Sequence, residues 1–288
     1  LDQSGVKGGL VVHLGCGDGR LTAALAASPA YLVHGLDPDP ANIRNARDHI
    51  RSLGLYGQVS VERFDGDRLP YNDNLVNLLV AEKPGKVTKA EMVRVLRPGG
   101  ALLVRQGSGW AKSVKPWPKN IDQWTHYLHG PDNNAVANDT VVSAPRGIQW
   151  VAEPKWQRSH EELASMSVAV TAAGRLFYIM DEGPLDSLRY PADWKLVARD
   201  AFNGVLLWKR NITRWTDHIR HFRAGPVHLQ RRLVAAGDRV YVTLGLAEPV
   251  TQLDAATGRT IQVYKGTEYA EEIIFDRGVL YLVVGTSE

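Results

Sequence analysis

The stretch GLVVHLGCGDGRLTAALAA, residues 9–27, decides how the first part of the chain folds. It opens with an apolar run that ends in a glycine at position 15, and further glycines follow at positions 17 and 19. Because glycine has no Cβ, the backbone can turn tightly there and a ligand can approach it closely. Apolar residues then recur at helical spacing, and a helix N-terminus presents unpaired N–H groups. The stretch therefore predicts a strand, a glycine-rich binding turn and a helix.

Strands and helices alternate through the rest of the first 106 residues. Strands are predicted at 9–15, 31–37, 58–65, 74–82 and 101–106, and helices at 21–27, 40–54 and 87–96. Such alternation favours a largely parallel sheet with helices on both faces. The expected fold class is α/β, with its ligand crevice outside the carboxyl ends of the strands.

Two acidic residues close predicted strands at that edge of the sheet. Asp37 ends the second strand, about 20 residues beyond the glycine turn, where a carboxylate can accept hydrogen bonds from ribose hydroxyls. Glu82 ends the fourth strand and is a candidate general base. The alternative for Glu82 is a solvated acid at the start of a loop, and the alternative for the glycine stretch is a tight turn that binds no ligand.

The glycine pattern itself separates two classes of nucleotide site. A dinucleotide fold carries GxGxxG, whereas here the third glycine comes one residue early. GxGxG followed by an acid resembles the class I S-adenosylmethionine-dependent methyltransferases. The segments GDRLPYNDNLVNLLVAE (66–82) and VLRPGGALLV (95–104) resemble the same family, and the resemblance covers residues 8–106.

This resemblance implies a Rossmann-like methyltransferase domain with S-adenosylmethionine as its cofactor. It places Asp37 at the ribose and Asp65 near the adenine. The full set expected at the cofactor is His13, Gly15, Cys16, Gly17, Gly19, Asp37 and Asp65. Glu82 is the expected catalytic residue.

The chain departs from the family pattern at several points. His13 stands where the family usually has an acid, and Asn77 replaces the usual aspartate of the fourth strand. No sixth or seventh strand is predicted after Gln106. The segment AEKPG at 81–85 is not an Asn-Pro-Pro-Tyr type motif, so amino-group methylation of nucleic acid or glutamine is not indicated.

The segment GSGWAKSVKPWPKN, residues 107–120, mixes Gly, Ser, Pro and Lys without apolar periodicity. It is expected to be a semi-extended connector. The predicted organisation is a domain at 1–106, this connector, and a second part at 121–288. All eight tryptophans lie after residue 105, which also indicates two parts built on different plans.

The second part contains an internal repeat. GRLFYIM (174–180) matches GDRVYVT (237–243), and RGVLYLVV (277–284) is a third copy. The three are aligned on Tyr178, Tyr241 and Tyr281. A strand, an Asp-x-x-x-Gly turn and another strand follow each of the first two copies.

This repeat resembles that of pyrroloquinoline-quinone (PQQ)-type β-propellers. It implies all-β blades, of which the chain holds about two to three. PQQ itself is not expected, because the adjacent cysteine pair that often lies beside the quinone is absent from the sequence.

Composition limits the remaining functions. The chain of 288 residues is 44% hydrophobic and 23% charged, which is typical of a folded globular protein. A net charge of +3 does not point to nucleic acid, and no apolar run reaches the roughly 18 residues of a membrane span. The single cysteine, Cys16, excludes a disulfide within the chain and a cysteine-based zinc site.

The second part also holds polar clusters that could bind a ligand. Six of the nine histidines are His126, His129, His160, His218, His221 and His228, and neither close pair has a known metal-ligand spacing. No metal site is predicted from them. The segment 218–232, rich in arginine and histidine, could hold an anion or be a solvated loop, and Asp132 with its two asparagine neighbours is expected to form a turn.

Three functions remain open. The first is a methyltransferase with an unknown small-molecule or protein acceptor. The second is a scaffold that keeps a vestigial methyltransferase fold and docks partners on its propeller, and the third is part of a quinoprotein-type oxidoreductase. A propeller suggests a periplasmic or secreted protein and S-adenosylmethionine a cytoplasmic one. A start at Leu1 and an end within a strand-like stretch favour a piece of a longer protein.

Overall fold

The computed structural model describes residues 1–145, 147–158, 164–187, 189–216 and 227–286. The chain divides into two compact units. The first is Leu1–Pro118 with Phe202–Leu207, and the second is Lys119–Ala201 with Trp208–Glu288.

A six-stranded sheet forms the centre of the first unit, in the order β3-β2-β1-β4-β5-β6. Its strands are β1 (Gly9–Leu14), β2 (Tyr31–Asp37), β3 (Val59–Arg63), β4 (Val76–Ala81), β5 (Leu96–Gln106) and β6 (Gly109–Val114). β1 to β5 pair in parallel, and β6 runs antiparallel to β5. Every residue of β1 and β4 is buried, as expected of central strands covered on both faces.

Three helices connect the parallel strands: α1 (Arg20–Ala24), α2 (Pro40–Ser52) and α3 (Lys89–Val95). The side chain of Asp39 caps α2 by accepting a hydrogen bond from the Ala41 N–H at 2.8 Å, and Pro40 occupies the first turn. Thr88 caps α3 in the same way through the Glu91 N–H. The Rossmann-like α/β fold predicted for this part is confirmed.

β6 lies inside the segment that the sequence predicts to be a connector. Its residues are half-buried or exposed and mix Trp, Lys and Ser, so the strand carries no regular apolar alternation. The two-residue turn Gly107–Ser108, with Gly107 at φ 55°, brings it back along β5. The guanidinium of Arg105 lies 5.2 Å from the ring centre of the cross-strand neighbour Trp110. The expectation that no sixth strand follows Gln106 was therefore wrong.

The asparagine in the middle of β4 is satisfied by a distant part of the chain. Asn77 Oδ1 accepts hydrogen bonds from the Leu10 N–H at 2.9 Å and from Asn203 Nδ2 at 2.6 Å. Asn203 also donates to the carbonyl of Leu75 at 2.7 Å. The departure of Asn77 from the family pattern thus has a structural explanation, because its amide ties two strands to the segment 202–207.

The second unit consists of antiparallel sheets. The first has the order β10-β9-β8-β7 and the second β11-β12-β13-β14, while β15 and β16 form a two-stranded sheet. The strands are β7 (Met166–Ala172), β8 (Arg175–Asp181), β9 (Trp194–Asp200), β10 (Leu206–Asn211), β11 (Leu233–Ala236), β12 (Arg239–Thr243), β13 (Val250–Asp254), β14 (Thr260–Val263), β15 (Ala270–Asp276) and β16 (Val279–Val284). Within the described ranges these sheets stay separate and do not close on one another.

The structure shifts the repeat alignment by one residue. Arg175 pairs with Asp200 in the first sheet, and Arg239 pairs with Asp254 in the second, so the two arginines are equivalent. Phe177, rather than Tyr178, therefore corresponds to Tyr241, and the alignment on Tyr178 was wrong.

Turn chemistry explains the shift. The first hairpin turns through Ala173–Gly174, both at positive φ, whereas the second turns through Gly237–Asp238 with positive φ at the glycine alone. The first geometry suits glycine in second place and the second requires it in first place. Aligning the two glycines consequently misplaces the strands that follow them.

Candidate functional site

A pocket of about 340 Å³ opens at the carboxyl ends of the central strands of the first unit. Three of the residues expected at the cofactor line it, namely Gly15, Asp37 and Asp65. Its other lining residues were not predicted from the sequence; they are Leu14, Pro38, Asp39, Asn42, Phe64, Gly66, Lys83, Pro84, Gly85 and Lys86. Their common signal is that most of them directly follow a strand, at the edge where ligands bind to open α/β sheets.

The glycine turn is held in place by backbone contacts. The N–H groups of Gly15 and Cys16 donate to the carbonyl of Leu36 at 2.8 and 3.0 Å. Gly15 has φ 80°, and a Cβ at this position would lie 2.7 Å from the backbone nitrogen of Lys83. Glycine is therefore required for the turn to approach the loop after β4.

The other two glycines of the turn serve different purposes. A Cβ on Gly17, at φ 54°, would meet no atom within 4 Å, so space lies open beside this residue. A Cβ on Gly19 would come within 2.7 Å of the Cβ of Ala46 in α2. Gly19 thus permits close packing of the turn against α2 and does not line the pocket.

Asp37 is the most firmly fixed polar group of the site. Its Oδ2 accepts a hydrogen bond from the Gly17 N–H at 2.9 Å. Its Oδ1 accepts from the Asp39 N–H and from Asn42 Nδ2, both at 3.0 Å. A carboxylate oxygen can accept two hydrogen bonds, so Oδ2 keeps one acceptor position for a ligand. The carboxylate is buried yet lines the pocket, which suits recognition of a hydroxyl group.

Asp65 occupies the loop after β3 and is much more exposed. Its Oδ1 lies 3.2 Å from Lys86 Nζ, and the two side chains are 59% and 68% exposed. A pair this exposed contributes little to stability. Both side chains can therefore rearrange around a ligand at little cost.

His13 lies below the turn rather than in the pocket. Its side chain is fully buried, with Nδ1 at 2.8 Å from Thr22 Oγ1 and Nε2 at 3.3 Å from Glu82 Oε2. Burial lowers the pKa of His13, and this effect outweighs the nearby Glu82 carboxylate, so the imidazole is neutral at pH 7. His13 is not among the residues that line the pocket and does not fill it.

Cys16 and Glu82 also lie outside the residues that line the pocket. Cys16 is buried, and burial raises the pKa of its thiol to about 12, so it stays protonated and packs as an apolar side chain. The Glu82 side chain is 38% exposed and directs its carboxylate to His13. Cys16 was predicted at the cofactor and Glu82 as the catalytic residue, and both roles stay predictions.

The pocket fits a nucleoside by its donors and acceptors. Asp37 presents a carboxylate for ribose hydroxyls, and Phe64 presents an aromatic side chain for a flat base. Gly17 itself is not among the residues that line the pocket, although its N–H holds the Asp37 carboxylate. The charged side chains of the lining are Asp37, Asp39 and Asp65 with Lys83 and Lys86, a formal net charge of −1 that is compatible with a singly cationic ligand.

Two histidines of the second unit, His126 and His129, make structural hydrogen bonds. His126 Nε2 accepts from the Phe275 N–H at 3.1 Å, and His129 Nε2 lies 2.7 Å from Asp122 Oδ2. His160, His218 and His221 fall outside the described residues, as does part of the segment 218–232. In the part of the chain that is described, no three or more His, Cys, Asp or Glu side chains are grouped to hold a metal. That same part has no helix with the length and hydropathy of a membrane span.

The buried state of His126 predicts a pH-dependent stability. Burial lowers its pKa to about 4, whereas an unfolded histidine has a pKa of 6.5. The unfolded chain therefore binds the proton more readily, and stability falls as the pH drops from 6.5 towards 4. We expect His126 to account for a loss of about 2 kcal/mol in the free energy of unfolding between pH 7 and pH 5.

Urea unfolding of the wild type and of His126→Gln at both pH values measures this contribution. Glutamine keeps a hydrogen-bond acceptor but does not titrate. The free energy of unfolding of His126→Gln should therefore fall about 2 kcal/mol less than that of the wild type between pH 7 and pH 5. Equal pH dependence of the two proteins would contradict the expectation.

Comparison with known proteins finds a family model that matches the first unit. Residues 11–100 match a family model described as a methyltransferase domain. Methyltransferase GfsG of Streptomyces halstedii is 34% identical over 100 residues, which are 33% of this chain and 36% of that protein. The ubiquinone/menaquinone biosynthesis C-methyltransferase UbiE of Citrobacter koseri is 29% identical over 148 residues, 48% of this chain and 58% of the relative.

Among solved structures, a geranyl diphosphate C-methyltransferase from Streptomyces coelicolor is similar over 36% of this chain and 41% of its own. That structure contains S-adenosyl-L-homocysteine and shares 21% sequence identity at a TM-score of 0.34.

The chain spans between 36% and 58% of the length of these curated relatives. The family match lies wholly within the first unit. The N-terminal region is a class I S-adenosylmethionine-dependent methyltransferase domain, as the sequence predicts, and S-adenosylmethionine is the cofactor of that family. The match does not extend to the second unit, so the propeller stays a prediction.

Proposed function

We propose that the first unit binds S-adenosylmethionine in the pocket at Gly15, Asp37 and Asp65 and transfers its methyl group to an acceptor. The observation that carries the proposal is the fixed Asp37 carboxylate, which lines a pocket of about 340 Å³ beside the glycine turn. The sequence pattern predicts the cofactor at this place, which lies within the residues 11–100 that match the methyltransferase domain model.

Each residue has a defined task in this proposal. Asp37 accepts a hydrogen bond from a ribose hydroxyl through Oδ2, and Asp65 lies at the adenine end of the pocket. S-adenosylmethionine, when bound, supplies a methyl group that an acceptor attacks in line. The protein then acts mainly by holding the two partners in position.

Glu82 is the proposed general base for an acceptor that must lose a proton. It ends β4, and its backbone N–H donates to the Leu14 carbonyl at 2.9 Å, which fixes the main chain beside the glycine turn. The neutral His13 below it provides a polar neighbour without neutralising the carboxylate. Since the carboxylate lies outside the pocket lining, this role requires the side chain to turn towards the acceptor.

Calorimetric titration of the full chain with S-adenosylhomocysteine tests the proposal, and a matched pair of variants locates the site. Gly17→Ala places a methyl group in open space in the glycine turn, on the residue whose N–H holds the Asp37 carboxylate, whereas Gly54→Ala places one in equally open space after α2. Both glycines have positive φ, so each substitution should cost about 1–2 kcal/mol of stability. We expect micromolar binding by the wild type and by Gly54→Ala, and at least tenfold weaker binding by Gly17→Ala.

No heat at millimolar S-adenosylhomocysteine would overturn the proposal and favour the scaffold with a vestigial methyltransferase fold. Equal affinities of the two glycine variants would place the ligand elsewhere. Because S-adenosylmethionine is a cytoplasmic metabolite, the proposed methyltransferase function implies that the protein acts in the cytoplasm.

We further propose that the four-stranded sheets of the second unit are blades of a β-propeller that docks a partner. Two successive antiparallel meanders with the same Asp-x-x-x-Gly hairpin support this. A bound quinone is not part of the proposal.

A further inference from the structure

A second cavity, of about 290 Å³, lies within the second unit. One face of the first four-stranded sheet lines it on one side, and the segment 150–157 lines it on the other. Most of the lining is apolar, with Trp150 from the segment and Met166, Leu176 and Met180 from the sheet. Apolar cavities with a few placed polar groups are the usual form of small-molecule sites.

Two polar side chains lie together on the sheet side of this cavity. Arg199 Nε donates a hydrogen bond to the hydroxyl oxygen of Tyr178 at 2.9 Å, and both residues are at most 7% exposed. Arg199 Nη2 also donates to the carbonyl of Glu153 at 2.9 Å. Because the Tyr178 oxygen accepts from Arg199, its own hydrogen can be donated to another acceptor.

The second sheet shows that the fold does not need this polar pair. In the corrected repeat alignment Tyr178 corresponds to Val242, and Arg199 corresponds to Leu253. Val242 and Leu253 are fully buried apolar residues in the same type of four-stranded sheet. Burying an arginine and a tyrosine hydroxyl instead costs desolvation energy. The polar pair lines the cavity and stands where the second sheet has apolar residues, which points to a ligand with a polar end.

We propose that this cavity binds a small aromatic carboxylate. The carboxylate accepts hydrogen bonds from the Tyr178 hydroxyl and the Arg199 guanidinium, a donor suited to carboxylates. The ring lies against Trp150 and the thioethers of Met166 and Met180, which favour aromatic contacts. Of the charged residues that line the cavity, Lys155 and Arg199 are cationic and Glu153 is acidic, so the balance favours an anion.

The test uses 2-naphthoate as a probe of the full chain, titrated by calorimetry, with 2-naphthylmethanol as its uncharged control. Three variants locate the site. Arg199→Leu installs the residue of the equivalent position in the second sheet, so the chain should fold. Tyr178→Phe removes one hydroxyl in the cavity, and Tyr241→Phe removes an equally buried hydroxyl in the second sheet.

We expect binding of 2-naphthoate to the wild type and to Tyr241→Phe with equal affinity. Tyr178→Phe should bind about tenfold more weakly, and Arg199→Leu at least thirtyfold more weakly, as charged and neutral hydrogen bonds differ in strength. The uncharged control should bind the wild type and Arg199→Leu equally weakly.

Failure of 2-naphthoate to bind the wild type at millimolar concentration would overturn the proposal, as would unchanged affinity in both cavity variants. If Arg199→Leu does not fold, the affinities of Tyr178→Phe and Tyr241→Phe for 2-naphthoate still test the proposal, and equal affinities would contradict it. S-adenosylhomocysteine titrations of the same variants should be unchanged, which keeps this site separate from the proposed cofactor pocket.

Discussion

Asp37→Ala is expected to weaken binding of S-adenosylhomocysteine by more than 100-fold. In the proposed complex Oδ2 of this carboxylate keeps one acceptor position for a ribose hydroxyl, and a hydrogen bond to a charged group contributes about 1.5–3 kcal/mol, or roughly 10- to 150-fold in affinity. The same side chain accepts from the Gly17 N–H, the Asp39 N–H and Asn42 Nδ2. Its removal therefore disturbs the shape of the glycine turn as well as the contact with the ligand.

Two controls separate these effects. Asn42→Ala removes one of the groups that hold the carboxylate but leaves the carboxylate itself, so the affinity should fall by less than tenfold. The thermal midpoint of Asp37→Ala shows whether the domain still folds. A folded Asp37→Ala protein that binds within threefold of the wild type would show that Asp37 does not contact the ligand, and the proposed pocket would be wrong.

The sequence was a good guide to where the pocket lies and a poorer guide to which side chains line it. Gly15, Asp37 and Asp65 follow strands, and the topology of a parallel sheet alone brings them to one edge. His13 and Cys16 are neighbours of the same turn, but their side chains point into the core, where burial makes both of them neutral. Proximity in sequence could not reveal this, because the direction of a side chain in a tight turn depends on the backbone angles of the glycines around it.

The sequence also did not predict which residues contact each other over long distances along the chain. Asn77 looked like a departure from a family pattern, and its partner Asn203 lies 126 positions away. The sequence does not predict β6, because a polar edge strand has no alternation of apolar residues. The strand is defined by its turn and its cross-strand neighbours. The repeat was visible in the sequence, but its register depended on which position of each hairpin turn takes positive φ.

Gly19→Ala should be the most destabilising of the substitutions in the glycine turn that keep the pocket residues unchanged. The residue has φ 81°, which costs a residue with a Cβ about 1–2 kcal/mol. The new methyl group would also lie 2.7 Å from the Cβ and 2.9 Å from the Cα of Ala46, a fully buried residue of α2. Overpacking of this kind typically costs a further 1–3 kcal/mol. We expect a total loss of about 3–4 kcal/mol in the free energy of unfolding.

A double-mutant cycle with Ala46→Gly isolates the packing part of this loss. Ala46→Gly alone should cost about 1 kcal/mol through helix propensity. Since it removes the methyl group that Gly19→Ala would strike, the double variant should be about 1–2 kcal/mol more stable than the sum of the single effects predicts. Gly17→Ala with Ala46→Gly is the matched pair and should be additive, because a Cβ on Gly17 meets no atom within 4 Å. Additivity in both pairs, measured by urea unfolding, would show that the contact with the Ala46 methyl group contributes nothing to the loss caused by Gly19→Ala.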